Sequence, residues 1–271
     1  MVAGTFNMIP SSELALEVPD FAEGTEFENL GTTIEVIAKG GTLAFGNKNF
    51  ALQQFHFHLP SEHLDNGTSQ ASKSRPLTKP DGEILSNMQA VEMHMVWQSE
   101  QQEIAVIGVY IGIATDAATP VVAAPVAVEK RGRFDRRDSR VERRQNGTVA
   151  AASGPTVLLE TIFSVADAIV TPGTKVETPP LIMSEVIDIL KANSFQGYMG
   201  SLTTPPCSEG VNWLVSTARL AVSPATFVKV RDIIGFNSRF PQNTPGQPNL
   251  LQVSAGLAEQ SSARLQQPVA R

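Results

Sequence analysis

Three of the four histidines in this 271-residue chain stand where two neighbouring β-strands would aim them at one point. His56 and His58 are separated by one residue in Gln54-Phe55-His56-Phe57-His58, and His94 sits in Glu92-Met93-His94-Met95-Val96. Side chains alternate along a strand, so positions i and i+2 share a face, and a second strand about 5 Å away brings in a third imidazole. Three neutral nitrogens around one ion, with a fourth position open, form the donor set of a catalytic zinc site rather than a closed structural one. A His-x-His pair alone is more often a core or surface pair. This one has company: Gln54 precedes His56 by two residues and Glu92 precedes His94 by two. Each shares its histidine's face and can accept the second ring N–H, which fixes the tautomer.

Alternating segments supply strands to carry these residues. Ser12 to Val18, Thr32 to Ala38, Leu43 to Phe45, Ala51 to His58, Gln89 to Gln98, Ile104 to Ile113 and Val211 to Leu220 are rich in Val, Ile and Phe and bounded by Gly, Pro or Asn. Helical periodicity is scarcer. It predicts helices over Val157 to Ala168, over Ser184 to Ala192 with Ser184 as N-cap, and over Ser223 to Ile233 with Pro224 at the first position. The fold class is α+β and β-dominated.

With 42% hydrophobic residues the chain can bury one large core, as one domain with a long insertion or as two domains. A net charge of −6 gives no reason to expect nucleic acid or an anionic membrane as partner. No apolar run reaches the ~18 residues of a spanning helix, and Met1 to Asn7 has neither the basic start nor the apolar stretch of a signal peptide. Thr68 to Ser86 is polar and reads as a surface excursion between the ligand strands. Residues 115–155 form a second insertion, an Ala/Val/Pro tract followed by Glu129 to Arg144 with eight Lys/Arg against four Asp/Glu. That +4 leaves −10 for the rest of the −6 chain, so composition predicts a solvated, disordered loop. The alternative is that Lys130-Arg131, Arg136-Arg137 and Arg143-Arg144 are processing sites.

In the segment Leu202-Thr203-Thr204-Pro205-Pro206 with Trp213, the chain resembles the α-class carbonic anhydrases in their secreted branch. The histidine strand, Ser61-Glu62-His63, Glu92-Met93-His94, Ile104-Ala105-Val106-Ile107-Gly108 and Asn237-Ser238-Arg239 carry the same likeness, in the family's order, over residues 12 to 250. The resemblance implies a single domain over 1–253, built on one large twisted, mostly antiparallel sheet with peripheral helices, and a flexible tail over 254–271. It implies zinc bound by His56, His58 and His94, and reversible hydration of carbon dioxide to bicarbonate by a hydroxide on that zinc. The carbonic anhydrases are themselves the standard example of a zinc-acidified water, with a pKa of about 7. The resemblance also implies an apolar substrate wall of Val96, Val106, Leu202, Val211 and Trp213. Thr203, donating to Glu62, orients the nucleophile, Thr204 lies on the polar side of the cavity, and His63 is a hydrogen-bonded core residue. Tyr198 and Arg239 support the Thr203 loop, and Glu35 is a surface residue.

Two departures stand out against the family pattern. Thr32 occupies the place where fast members carry a proton-passing histidine, and a hydroxyl does not titrate near pH 7. The family's segment before the first strand, with its cysteine, is not visible before Ser12, and Cys207 is the sole cysteine, so no internal bridge can close. The expectation is a natural start further upstream, with signal peptide and partner cysteine; the alternative is a free thiol. Asn66-Gly67-Thr68 and Asn146-Gly147-Thr148 are glycosylation sequons that suit a secreted protein; a cytoplasmic location is the alternative. Two rival functions remain open. His56, His58 and Glu62 also fit a cupin-like His-x-His-x₃-Glu set binding manganese or iron in a double-sheet barrel, and a non-catalytic relative would keep the fold for binding.

Overall fold

A long strand ending in His-x-His organises the sheet. A computed structural model of the chain describes residues 7–65, 68–69, 91–114 and 154–239. The strands are β1 (Asn7–Ile9), β2 (Ala15–Glu17), β3 (Glu26–Asn29), β4 (Ile34–Ile37), β5 (Thr42–Phe45), β6 (Lys48–His58), the short pair β7 (Leu64–Asp65) and β8 (Thr68–Ser69), β9 (Val91–Ser99), β10 (Ile104–Ile113), β11 (Lys175–Glu177), β12 (Phe195–Ser201) and β13 (Glu209–Val222). Eleven of them form one sheet in the order β1-β12-β13-β10-β9-β6-β4-β3-β11, with β5 pairing β2 and β6 at the side. Every pairing is antiparallel except β10 with β13. The mostly antiparallel, β-dominated architecture is therefore as expected. An open sheet of this order is not a double-sheet barrel, which removes the structural basis of the cupin reading.

Several boundaries differ from the alternation rule for local reasons. Ser11–Glu13 is a 3-10 turn, not the start of a strand, because Glu13 N bonds Pro10 O and Leu14 N bonds Ser11 O, both at 3.0 Å. The helix expected over Val157 to Ala168 is α1 (Val157–Phe163) followed by a separate 3-10 turn, Ala166–Ile169. α2 (Ser184–Lys191) begins at Ser184, which is its first helical residue rather than its cap. The free N–H groups there are taken by Asp20 from another part of the chain, whose Oδ1 accepts from Met183 N at 2.8 Å and Ser184 N at 3.2 Å. α3 (Pro224–Ile234) follows the prediction, with Ser223 capping Thr226 N and Pro224 at the first position. β1, β3, β11 and β12 escape pattern reading. The first three are edge or near-edge strands of three or four residues, and β12 carries two glycines in Phe-Gln-Gly-Tyr-Met-Gly-Ser.

The two faces of β6 are set by an irregularity. Phe50 and Leu52 face the core, and strict alternation would send Gln54, His56 and His58 after them. Pairing with β9 instead shifts between Leu52 and Gln54, so Gln53 is an extra residue and Phe55 and Phe57 take over the core side. A one-residue bulge thus transfers the polar triplet to the opposite face. At the other end of β6, Gly46 and Asn47 both take positive φ, 58° and 60°. That is the conformation of a tight hairpin turn with β5.

The main core lies beneath the sheet, where Phe27, Phe55, Phe57, Met93, Met95 and Trp97 meet buried residues of the three helices, among them Leu159, Ile187 and Phe227. Glu185 accepts from Val157 N at 3.1 Å and Leu158 N at 2.9 Å, tying α2 to the start of α1. No helix among the described residues is long and apolar enough to cross a membrane. The insertion over 115–153, most of the polar excursion, both sequon asparagines, the dibasic pairs and the tail lie outside the described residues.

Candidate metal centre

On the other face of the sheet, the register brings the three expected rings together. His56 and His94 are directly opposed across β6 and β9, and His58 sits two residues along on the same face. Their ring centroids are 4.6 to 5.4 Å apart, and one nitrogen from each lies within 4.8 Å of the others. His58 and His94 are buried and His56 is half-buried.

The second nitrogens decide what the first ones offer. His56 Nδ1 donates to Gln54 Oε1 at 2.9 Å, which leaves Nε2 with its lone pair. His94 Nε2 donates to Glu92 Oε1 at 3.0 Å, which leaves Nδ1 for an ion. His58 Nδ1 makes no well-formed hydrogen bond, although the Asn237 main chain lies near and Glu62 Oε1 is 3.5 Å away. The Nε2 atoms of His56 and His58 face each other at 3.1 Å. Ring nitrogens so placed either share one proton in a hydrogen bond or hold a cation between them, and the spacing suits the second: ligands roughly 2.0–2.1 Å from a tetrahedral zinc ion stand roughly 3.3 Å apart. Burial, with neighbouring histidines adding to it, holds His56 well below the ordinary imidazole range and His58 down to about 4. Both are therefore neutral at pH 7, the state in which imidazole ligates. The donor set fits zinc. Glu62 is outside the set, contrary to the cupin-like pattern.

Glu92 is the hub behind the ligands. Its Oε1 accepts from His63 Nδ1 and His94 Nε2, and its Oε2 accepts from His63 N at 2.9 Å. Burial alone would raise this carboxyl, but His63 and His94 outweigh it and hold the group well below the usual carboxylate range. The Tyr198 hydroxyl donates to His63 Nε2 at 2.7 Å. Burial, reinforced by Glu92 and Glu62, pushes the Tyr198 phenol up, so it keeps its proton. His63 is the hydrogen-bonded core residue expected.

Beside the rings, Val106, Val211 and Trp213 form a hydrophobic cluster separate from the main core, with Val96, Leu202, Ile104 and Tyr198 packed against it. All five expected wall residues are together. Sequence reading missed Ile104, which shares Val106's face by simple alternation, and did not place Tyr198 here, where it lies opposite Trp213 in register and stacks on it with planes 6° apart. Trp213 also stands edge-on to His94, 4.8 Å between centroids.

The Thr203 loop is placed but not bonded as expected. Leu202 N bonds Ser208 O at 2.9 Å, Arg239 Nη1 reaches Leu202 O at 3.4 Å, Thr203 is half-buried and Thr204 is exposed. The anticipated Thr203 to Glu62 hydrogen bond is not among those formed. Arg239 N instead donates to Glu62 Oε1 at 2.7 Å, and the buried Oε2 has no partner among the described residues. That oxygen is an acceptor awaiting a donor. Cys207, the sole cysteine, is a free, half-buried thiol at φ 59°.

Glu35 is not a surface residue. It is half-buried on the metal face, opposed to His56 on one side and Glu28 on the other, and burial together with Glu28 pushes its carboxyl up to about 7. The native state therefore holds a proton that the unfolded chain releases near pH 4.5, and this contribution, full below pH 4.5, is lost as pH rises through 7. Glu35→Gln removes the penalty. In chelator, its unfolding free energy from urea titration should match the unaltered protein at pH 4.5 and exceed it at pH 8 by about 1 kcal/mol, discounted for partial solvent access.

Known proteins resemble this chain in sequence and in fold. The profile of the eukaryotic-type carbonic anhydrases matches residues 148–247, which include the Leu202–Trp213 segment and follow the histidines in the chain. The chain is 27% identical over 222 residues to a carbonic anhydrase of Nostoc sp., covering 81% of this chain and 59% of that one. It is 29% identical over 197 residues to a carbonic anhydrase of Pectobacterium atrosepticum, covering 72% and 56%. It thus spans under two thirds of the length of these relatives. The solved fungal alpha carbonic anhydrase from Aspergillus oryzae superposes with a TM-score of 0.67 at 29% identity, covering 94% of this chain and 84% of that one. The alpha-carbonic anhydrase of Thermovibrio ammonificans, in complex with sulfanilamide, gives 0.54 at 26%, covering 89% and 80%. A histidine triad on one face of a mostly antiparallel sheet and a separate apolar cluster beside it stand alongside these likenesses, and the chain is similar to the α-class carbonic anhydrases in its carboxy-terminal family match, its sequence relatives and its fold.

Proposed function

We propose that the protein catalyses the reversible hydration of carbon dioxide to bicarbonate and a proton, with zinc held by His56, His58 and His94. The observation that carries this is the pair of facing Nε2 atoms, 3.1 Å apart, beside a third ring whose other nitrogen is tied to Glu92. When bound, zinc supplies the Lewis acidity that makes a water molecule nucleophilic near neutral pH. Gln54 and Glu92 hold the His56 and His94 rings in the ligating tautomer. Val96, Val106, Leu202, Val211 and Trp213 offer the non-polar substrate a dry surface next to the open side of the site. Thr203, with Glu62 as the acceptor for its hydroxyl proton, orients the attacking oxygen once the loop donates to the orphaned Oε2.

Carbon dioxide hydration by purified protein, with zinc chelated and then restored, tests the reading. Activity that disappears with chelator and returns with zinc is expected; hydration indifferent to chelator rejects it, and redox activity with manganese or iron would favour the cupin-like chemistry. Sulfonamide inhibition should follow, as the Thermovibrio complex suggests. The wall gives a separate measurement. Val106 is 1% exposed and lies in register between Val96 and Trp213, so Val106→Phe overfills it by about 1–3 kcal/mol. Hydration should fall about tenfold with zinc content unchanged; an unaltered rate would mean that the substrate binds elsewhere.

A further inference from the structure

Gly108 lies on β10 directly opposite His94, the ligand held by Glu92. A Cβ at this position would stand 2.8 Å from Glu92 Oε1 and 3.6 Å from both Cε1 and Nδ1 of His63. The first distance is closer than real Cβ contacts come, and the atom it meets is the oxygen that accepts from both His63 and His94. Glu92 cannot step aside. It is 0% exposed, its other oxygen is fixed by His63 N, and His63 is itself held by Tyr198. A side chain at position 108 therefore displaces the carboxylate or pushes the strands apart.

From this geometry we propose that Gly108 is a positioning residue for the metal centre: its missing side chain is the space in which Glu92 Oε1 sits while it fixes the His94 tautomer. The proposal rests on zinc being bound by the three histidines. Ordinary glycine explanations do not account for it. Gly108 is not among the glycines with positive φ, so no backbone conformation demands glycine there. The strand provides its own comparison in Gly112, four residues on, where a Cβ would meet nothing closer than Leu220 O at 3.9 Å. Two glycines of one strand thus make opposite predictions.

The experiment is zinc affinity by chelator competition, which needs no turnover, on the full chain and on Gly108→Ala, Gly112→Ala, Glu92→Ala and the double variant G108A/E92A. Gly108→Ala should bind zinc about 10- to 100-fold more weakly, with Gly112→Ala within about twofold of the unaltered protein. Because Gly108 acts through Glu92, adding G108A to E92A should cost nothing further in the double-mutant cycle. Unchanged affinity in Gly108→Ala overturns the proposal, as does an equal loss when G108A is added to E92A. Should Gly108→Ala fail to fold, a soluble double variant with the affinity of Glu92→Ala supports the collision with the carboxylate, and an insoluble double variant overturns it. If the unaltered protein binds no zinc, the metal reading fails by itself. The ¹⁵N spectrum of metal-free protein then still decides on Gly108: His94 protonated at Nε2 in the unaltered chain and mixed in Gly108→Ala supports it, and identical spectra overturn it.

Discussion

His94→Ala is expected to raise the zinc dissociation constant about 10³-fold and to remove carbon dioxide hydration at micromolar zinc. Protein zinc sites are worth roughly 10–16 kcal/mol at neutral pH. One of three protein ligands accounts for about a third of that, or about 4 kcal/mol, and each 1.4 kcal/mol is about tenfold. The loss should be larger than for Glu92→Ala, because removing the ring deletes the donor atom whereas removing Glu92 only frees the ring to choose the wrong tautomer. Fold loss would not mimic this result. His94 lies on the metal face, Met93 and Met95 on either side of it belong to the main core, and Glu92 keeps its bonds to His63 in the variant. Far-ultraviolet dichroism and the unfolding midpoint in chelator should therefore stay near those of the unaltered protein. A folded His94→Ala protein that still holds one zinc per chain tightly would place the metal at other residues.

Much of this site was legible because it is built on alternation. His56 and His58, Gln54 with His56, Glu92 with His94, and Val96 two residues beyond them are all i, i+2 relations on strands, and a strand transmits them without help from the rest of the fold. Recognising Val106, Val211 and Trp213 as one wall needed the family resemblance, since β13 is joined to β10 only in parallel register and nothing local announces that pairing. What sequence could not show depends on neighbours that are distant in the chain. The helix α2 is capped by Asp20, 163 residues before Met183, so the nearby Ser184 was the natural but mistaken choice. Glu35 looked like a surface carboxylate because its own strand alternates cleanly, yet burial on that face comes from other strands. The Thr203 to Glu62 bond was inferred from family likeness, and in this structure the Arg239 main chain is the donor that reaches the glutamate. The bulge at Gln53 left no sequence mark except two consecutive glutamines. It nevertheless determines which face receives the histidines.

Turnover in weak buffer is expected to stall near 10³ s⁻¹ and to rise about 10²-fold with added imidazole. Each hydration cycle must discard a proton, and an acid of pKa about 7 cannot give it to water faster than about 10³ s⁻¹ when recombination runs at the ~10¹⁰ M⁻¹s⁻¹ diffusion limit. An imidazole near its own pKa relieves the limit. Thr32, in the bend two residues before β4 where the family resemblance puts a relay histidine, is exposed and its hydroxyl does not titrate in this range. Its structural role is in the main chain, where its carbonyl accepts from Asn237 Nδ2 at 3.0 Å. Thr32→His therefore keeps that bond while adding a titratable ring, and should raise turnover in weak buffer about tenfold and flatten the imidazole dependence. Stopped-flow hydration across an imidazole series measures both. A wild-type rate that already ignores buffer concentration would mean that a side chain of the protein performs the relay, and Thr32→His would then bring little gain.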